Sequence, residues 1–170
     1  YLNASHFVTR SNYSNQFAER PADKFIKEDP DLYYRVLDLT GSPFSDSRPS
    51  YHHKSIGGYN AAKLQRYQDV IDRHLVPEMQ YFIEKLNQCQ TLEEASAIFS
   101  YHGTLTHTPV MNLLNTRYVI LSGDGAPVVN PHALGNAWVV SSVVGAESNL
   151  EELEALSRTD LRKTAVMRDA

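Results

Sequence analysis

Ala61, Leu64, Tyr67, Ile71 and Leu75 recur at spacings of three or four residues. That period puts all of them on one face of a helix, with Lys63, Arg66, Asp69 and Arg73 toward the other side. A helix with one apolar face must cover something apolar, and the chain offers strands for it to cover. Leu32 to Leu39 (LYYRVLDL) is rich in Tyr, Val and Leu and apolar on both faces, as a central strand covered on two sides is. Arg117 to Leu121 and Trp138 to Val144 read as further strands, and Thr164 to Met167 as a short last one. Pro21 suits a first helical turn, and Asp29-Pro30 stops the short turns that follow it. Asn60 is expected to cap the central helix. Pro77 is expected to begin or kink the next one, which carries Met79, Phe82, Ile83 and Leu86.

The remaining segments fit the same scheme. Thr91-Leu-Glu-Glu opens a capped helix through Phe99. Pro109 to Asn115 is a short helix, and Asn149 to Ser157 an amphipathic one with Leu150, Leu153 and Leu156 inward. His102 to His107 and Gly123 to Pro127 read as turns. The fold class is therefore α/β (or α+β): a small mixed β-sheet packed against several helices in a single domain. Residues 1–20, polar with scattered aromatics, read as an extended N-terminal arm, and residues 21–170 as the domain, truncated at its C-terminal end.

Charge and cysteine content narrow the function classes. The net charge is −4 with no basic block, which argues against a nucleic-acid partner. Cys89 is the one cysteine, so neither an internal disulfide nor a Cys-based zinc site is possible. The longest nearly apolar run, Ala137 to Ala146, is far shorter than the roughly 20 residues that span a bilayer. The chain begins at Tyr1 with no signal-like segment after it, so it is expected to be a soluble piece of a longer or processed protein.

Gly41 to Tyr59 is a long link rich in Gly, Pro and Ser. Loops of that length inside a domain tend to be functional or disordered, and its aromatics and histidines favour order. His52 and His53 are adjacent, so in an extended segment they face opposite ways and do not chelate one metal. With Lys54 they can contact phosphate or sugar hydroxyls, or serve as ordinary loop polarity. Gly57-Gly58 before the helix permits a positive φ or close backbone approach. It can admit an anion to the first helical turn or simply aim the helix. Lys63 and Arg66 extend an anion site or form a solvated face. His102 and His107 lack the Glu of a zinc motif, and Cys89 has no His or Asn partner in sequence. No spacing defines a catalytic centre, and no cofactor is implied.

The runs DPDLYYRVLDL, SIGGYNAAKLQRYQDVID, MNLLNTRYVI and NPHALGNAWVV, in this order, resemble the bacterial YfhO-like membrane proteins, in their Bacteroidetes versions most closely. The resemblance extends from about Pro21 to about Val166. It implies a polytopic parent similar to lipid-linked-sugar glycosyltransferases of the GT-C type. This chain would be a periplasmic, extracytoplasmic domain of that parent. The catalytic carboxylate would then lie elsewhere, and the transmembrane part of the same polypeptide would be the partner. Tyr51, His52, Lys54, Tyr59, Lys63 and Arg66 are the residues expected to contact a polyprenyl-phosphate-linked sugar or an envelope glycan, tyrosines on sugar faces and cations near phosphate. Two other classes stay open: a stand-alone carbohydrate- or peptide-binding module, and a hydrolase using His102, His107 or Cys89.

Overall fold

β1 (Arg35–Asp38) and β2 (Thr116–Ile120) run parallel, with Val36 opposite Tyr118 and Leu37 opposite Val119. β3 (Val128–Val129) joins the far side of β2 antiparallel, giving the order β1-β2-β3. The structure, a computed structural model, describes residues 8–168. The link segment adds to the open side of β1: the Val36 N–H donates to the Lys54 carbonyl at 2.8 Å and the Ile56 N–H to the Val36 carbonyl at 3.1 Å.

Both faces of this sheet are covered, as the apolar strand pattern predicts. Alternation sends Val36, Tyr118 and Ile120 to one face, where they meet Ala22 and Ile26 of α2 (Pro21–Lys27). Leu37 and Val119 face the other way, into a larger cluster with Ile71, Leu75, Phe82, Phe99 and Met111. Burying each such side chain contributes roughly 1.5–3 kcal/mol. The Phe82 and Phe99 rings lie 4.4 Å apart at the centre of that cluster.

Helices from the long β1–β2 connection supply the cluster. α3 (Gln65–Val70) runs through a π-helical turn (Ile71–Leu75) into α4 (Val76–Leu86). Pro77 explains the wide turn. It has no N–H to donate and its ring crowds the carbonyl of Arg73; one extra residue per turn relieves this, and the Val76 N–H reaches back to the Ile71 carbonyl. α5 (Leu92–Ser100) is capped by Thr91, whose hydroxyl accepts from the Glu94 N–H at 3.2 Å. α7 (Pro109–Leu113) then leads into β2. A separate two-stranded parallel sheet, β4 (Ser142–Ala146) and β5 (Thr164–Arg168), is joined through α8 (Asn149–Arg158).

Several expectations are corrected. The part of the N-terminal arm within the described residues contains α1 (Arg10–Gln16), started by the Thr9 hydroxyl accepting from the Asn12 N–H at 3.2 Å; residues 1–7 lie outside the described residues. Asn60 does not cap the central helix. Its side chain closes a turn onto the Ala62 N–H at 2.8 Å, and the helix begins at Gln65 after Leu64, so Ala61 and Leu64 are exposed. Residues His102–His107 form a short helix, α6, where a turn was expected. The strand expected over Trp138 to Val144 is β4 and starts only at Ser142, because the Trp138 indole N–H is tied to the Leu161 carbonyl at 3.0 Å and Val139 is 94% exposed. Leu150 on α8 is likewise exposed, while Leu156 packs on the core.

Candidate functional site

The Gly-Gly pair is built into the wall of an open cleft of about 390 Å³, between the link segment and the start of α3. Gly57 is required there by contact. A Cβ at this position would lie 1.9 Å from the Pro43 carbonyl oxygen and 2.8 Å from its carbon, both backbone. Gly58 holds φ at +111°, which favours glycine, and its N–H donates to that same Pro43 carbonyl at 2.8 Å. Gly57→Ala is therefore expected to push the strap off Pro43 and cost about 2 kcal/mol. In a chain of this size that lowers the thermal midpoint by roughly 6 °C, read by circular dichroism.

Tyr59 and Lys63 line this cleft with Ser50, Asn60 and Leu64. Tyr59 is 68% exposed and Leu64 75%. Lys63 Nζ makes a long contact, 3.5 Å, to the Phe44 carbonyl. The floor is fixed by Tyr67, whose hydroxyl donates to the Ile56 carbonyl and whose pKa is raised by burial. No side chain caps the first turn of α3. Among the described residues lining the cleft there is no His, Asp, Glu or Cys. The lining offers an aromatic side chain, a cation and hydroxyl-bearing residues, groups that suit binding of a polar ligand.

The structure separates the six residues expected to act together. Tyr51 packs its ring on Phe17 at 4.2 Å, and the His52 ring lies 3.1 Å from the Phe17 carbonyl, so both hold α1. Lys54 donates to the Leu32 carbonyl at 2.7 Å and sits over the Tyr33 ring. Arg66 points into a different cleft, between α3 and α8, and pairs with Glu152. Only Tyr59 and Lys63 of the set share the Gly57–Gly58 cleft.

His53 has a role that the sequence did not reveal. Its ring is fully buried, with Nε2 3.0 Å from Asp23 Oδ1. Asp23 also accepts from the Arg20 backbone N–H at 2.9 Å and from Arg20 Nε at 3.0 Å. Arg20 Nη2 reaches on to Asp38 at 2.6 Å, at the end of β1. Burial opposes ionisation of Asp23, but the donors from Arg20 and His53 outweigh it and hold the carboxyl well below the usual carboxylate range. Burial pushes the His53 imidazole below its ordinary value, against the pull of Asp23. His53 Nδ1 has no hydrogen-bond partner, which fits a neutral ring donating through Nε2. This network pins the link segment to α2.

The other sequence candidates are placed as follows. The His107 ring stacks on Tyr81 at 4.3 Å, and the side chain of His102 lies outside the described residues. The Cys89 thiol, three residues past the end of α4, donates to the Lys85 carbonyl at 3.4 Å. Among the described residues no group of three or more His, Cys, Asp or Glu side chains is placed to hold a metal ion. No described helix is long and apolar enough to cross a membrane. No protein-family model, curated protein or solved structure matches the chain.

Proposed function

We propose that the chain is a non-catalytic accessory domain of a polytopic YfhO-like, glycosyltransferase-like membrane protein, standing on its extracytoplasmic face. The Gly57–Gly58 cleft contacts the lipid-linked sugar, with Tyr59 on a sugar face and Lys63 near the phosphate. The observation that carries this reading is the chemistry of the cleft: an exposed tyrosine and a lysine beside a glycine pair held against Pro43, with no His, Asp, Glu or Cys among the described residues of the lining.

A second observation supports it. The runs that carry the resemblance are sewn into one unit. Asn130 donates to the Asn112 side chain at 2.8 Å and to the Thr116 carbonyl at 2.9 Å. The Gly135 N–H reaches the Asn115 side chain at 3.2 Å, and the Asn115 amide reaches the Tyr33 carbonyl at 2.8 Å. Tyr51, His52 and Lys54 then act by holding the strap's surroundings in place.

The test is sugar transfer by the intact membrane protein carrying Tyr59→Ala with Lys63→Ala. Loss of at least about tenfold at normal expression is expected, equivalent to roughly 1.4 kcal/mol of binding. Arg66→Ala, in the neighbouring cleft, is expected to leave transfer near wild type. Unchanged transfer in the double variant removes the proposal.

A further inference from the structure

We infer that the outer edge of β4 pairs with the same edge of a second copy of this chain, antiparallel about a two-fold axis through Val144. This inference stands on the β4–β5 sheet and does not depend on the cleft.

β4 pairs with β5 and with no other strand among the described residues. Parallel strands ordinarily sit inside larger covered sheets, and a sheet of two strands is marginal by itself. The direction of the open groups follows from the β5 pairing. The Ser142 N–H donates to the Lys163 carbonyl at 3.1 Å, so Ser142 and Val144 turn their backbone groups toward β5. Val143 and Gly145 therefore turn theirs outward.

Natural sheets protect such an edge with charge, proline or a bulge. β4 reads SVVGA and has none of these: no charged side chain, no proline, and an unbroken register with β5. Ser142, Val143, Val144 and Gly145 are all exposed, with Val143 at 58%. β5 is the poorer edge. It is half-buried over Thr164 to Val166 and ends in Arg168, which is held by Asn149.

The occupant is chosen by self-complementarity. In an antiparallel pair centred on Val144, Val143 of one copy faces Gly145 of the other. Those two residues carry the outward N–H and C=O groups, so each such pair exchanges both hydrogen bonds, while Val144 meets its own symmetry mate in the close, non-bonded position. The bulky Val143 lies opposite the missing side chain of Gly145, and Ser142 opposite Ala146. Such an isologous contact closes at two copies and yields a continuous sheet in the order β5-β4-β4-β5.

Sedimentation equilibrium of the purified chain over a range of concentrations tests this. The average mass is expected to rise from one chain toward two as concentration increases. Val144→Lys places like charges on the axis and is expected to hold the mass at one chain. Gly145→Pro removes an outward N–H twice per dimer and is expected to do the same. Far-UV circular dichroism checks that each variant is folded; Val144→Lys, a change at an exposed side chain, keeps the test decisive where the proline disturbs β4. A wild-type chain that stays at the mass of one copy throughout overturns the inference, as does a dimer that persists in both variants. A chain that stays single alone and pairs only with a strand from another polypeptide overturns it too.

Discussion

Asp23→Ala is expected to destabilise the protein by on the order of 4 kcal/mol, because removing one member of a buried ion pair leaves its partners stranded. For a chain of this length that is roughly 10 °C in the thermal midpoint. Asp23 is 0% exposed and is the common acceptor for Arg20 and His53. Without it Arg20 keeps Asp38, but His53 loses its only hydrogen-bond partner while remaining buried. The pH dependence follows in sign. The Asp23 carboxyl is held below its usual value, so its contribution is present above the unfolded value near 3.8 and is lost as pH falls through the folded one. His53 and His74 are pushed down by burial and stay neutral in the fold, so each adds a loss of stability as pH falls below about 6.5. In thermal melts of wild type and Asp23→Ala between pH 7 and pH 2, the gap is expected to hold down to about pH 4 and to narrow below it. A constant gap across that range contradicts the role given to the carboxylate.

Glu78→Ala is expected to cost about 3 kcal/mol at neutral pH. Glu78 lies in the first turn of α4, and its carboxyl is buried against the start of α7. One oxygen accepts from the Val110 N–H and the other from the Met111 N–H, both at 2.8 Å. Glu78 thus satisfies orphan donors at the start of α7 from 32 and 33 residues away in sequence. Each buried N–H left without an acceptor costs roughly 1–3 kcal/mol. The titration has the opposite sign to that of Asp23. Burial pushes Glu78 up to about 8 from 4.5, against the two N–H donors. The folded state thus holds this proton more tightly than the unfolded chain does. Its contribution is complete below about 4.5 and is lost as pH rises toward 8. Glu78→Gln cannot titrate. Between pH 5 and pH 8 the wild type is therefore expected to lose on the order of 3 kcal/mol more than this variant, measured by urea unfolding at each pH.

The two residues share a lesson about what a sequence exposes. Apolar periodicity located α8, strand-rich composition located β1 and β2, and the Thr91-Leu-Glu-Glu cap located α5; α7 and β5 were short segments read from residue type. The apolar pattern of β1 also anticipated that it is covered on both sides. The covering of α7 by Glu78 has no repeat to read, and neither does the Arg20–Asp23–Asp38–His53 network, whose members come together from α2, β1 and the link segment. The nearest local signal was Arg20-Pro21-Ala22-Asp23, a helix start in which the acid at the third helical position folds back on the residue before it. β3 has two residues and exists only because β2 offers it an edge. α1 is polar, and depends on Thr9 for its start and on Phe17 packing against Tyr51 for its hold.

The candidate site was legible in part. The Gly57–Gly58 pair, Tyr59 and Lys63 were marked by residue type and by their place before a helix, and the cleft is there. The reach of the set was not legible. Tyr51, His52 and Lys54 turn toward α1 and Tyr33, and Arg66 turns toward α8. The late start of α3 decides this: with residues 60–64 unwound, Lys63 stays in the loop beside Tyr59 while Arg66 begins on the helix.

The most direct test is photocrosslinking. A photoreactive phenylalanine analogue is placed at Tyr59 in the polytopic protein proposed as the parent of this chain, which is then irradiated with a radiolabelled polyprenyl-phosphate sugar. The proposed function predicts label at Tyr59 and none from the same analogue at Val139, which is 94% exposed in the segment before β4 and lines no part of the cleft. Equal labelling at the two positions, or none at Tyr59, contradicts it.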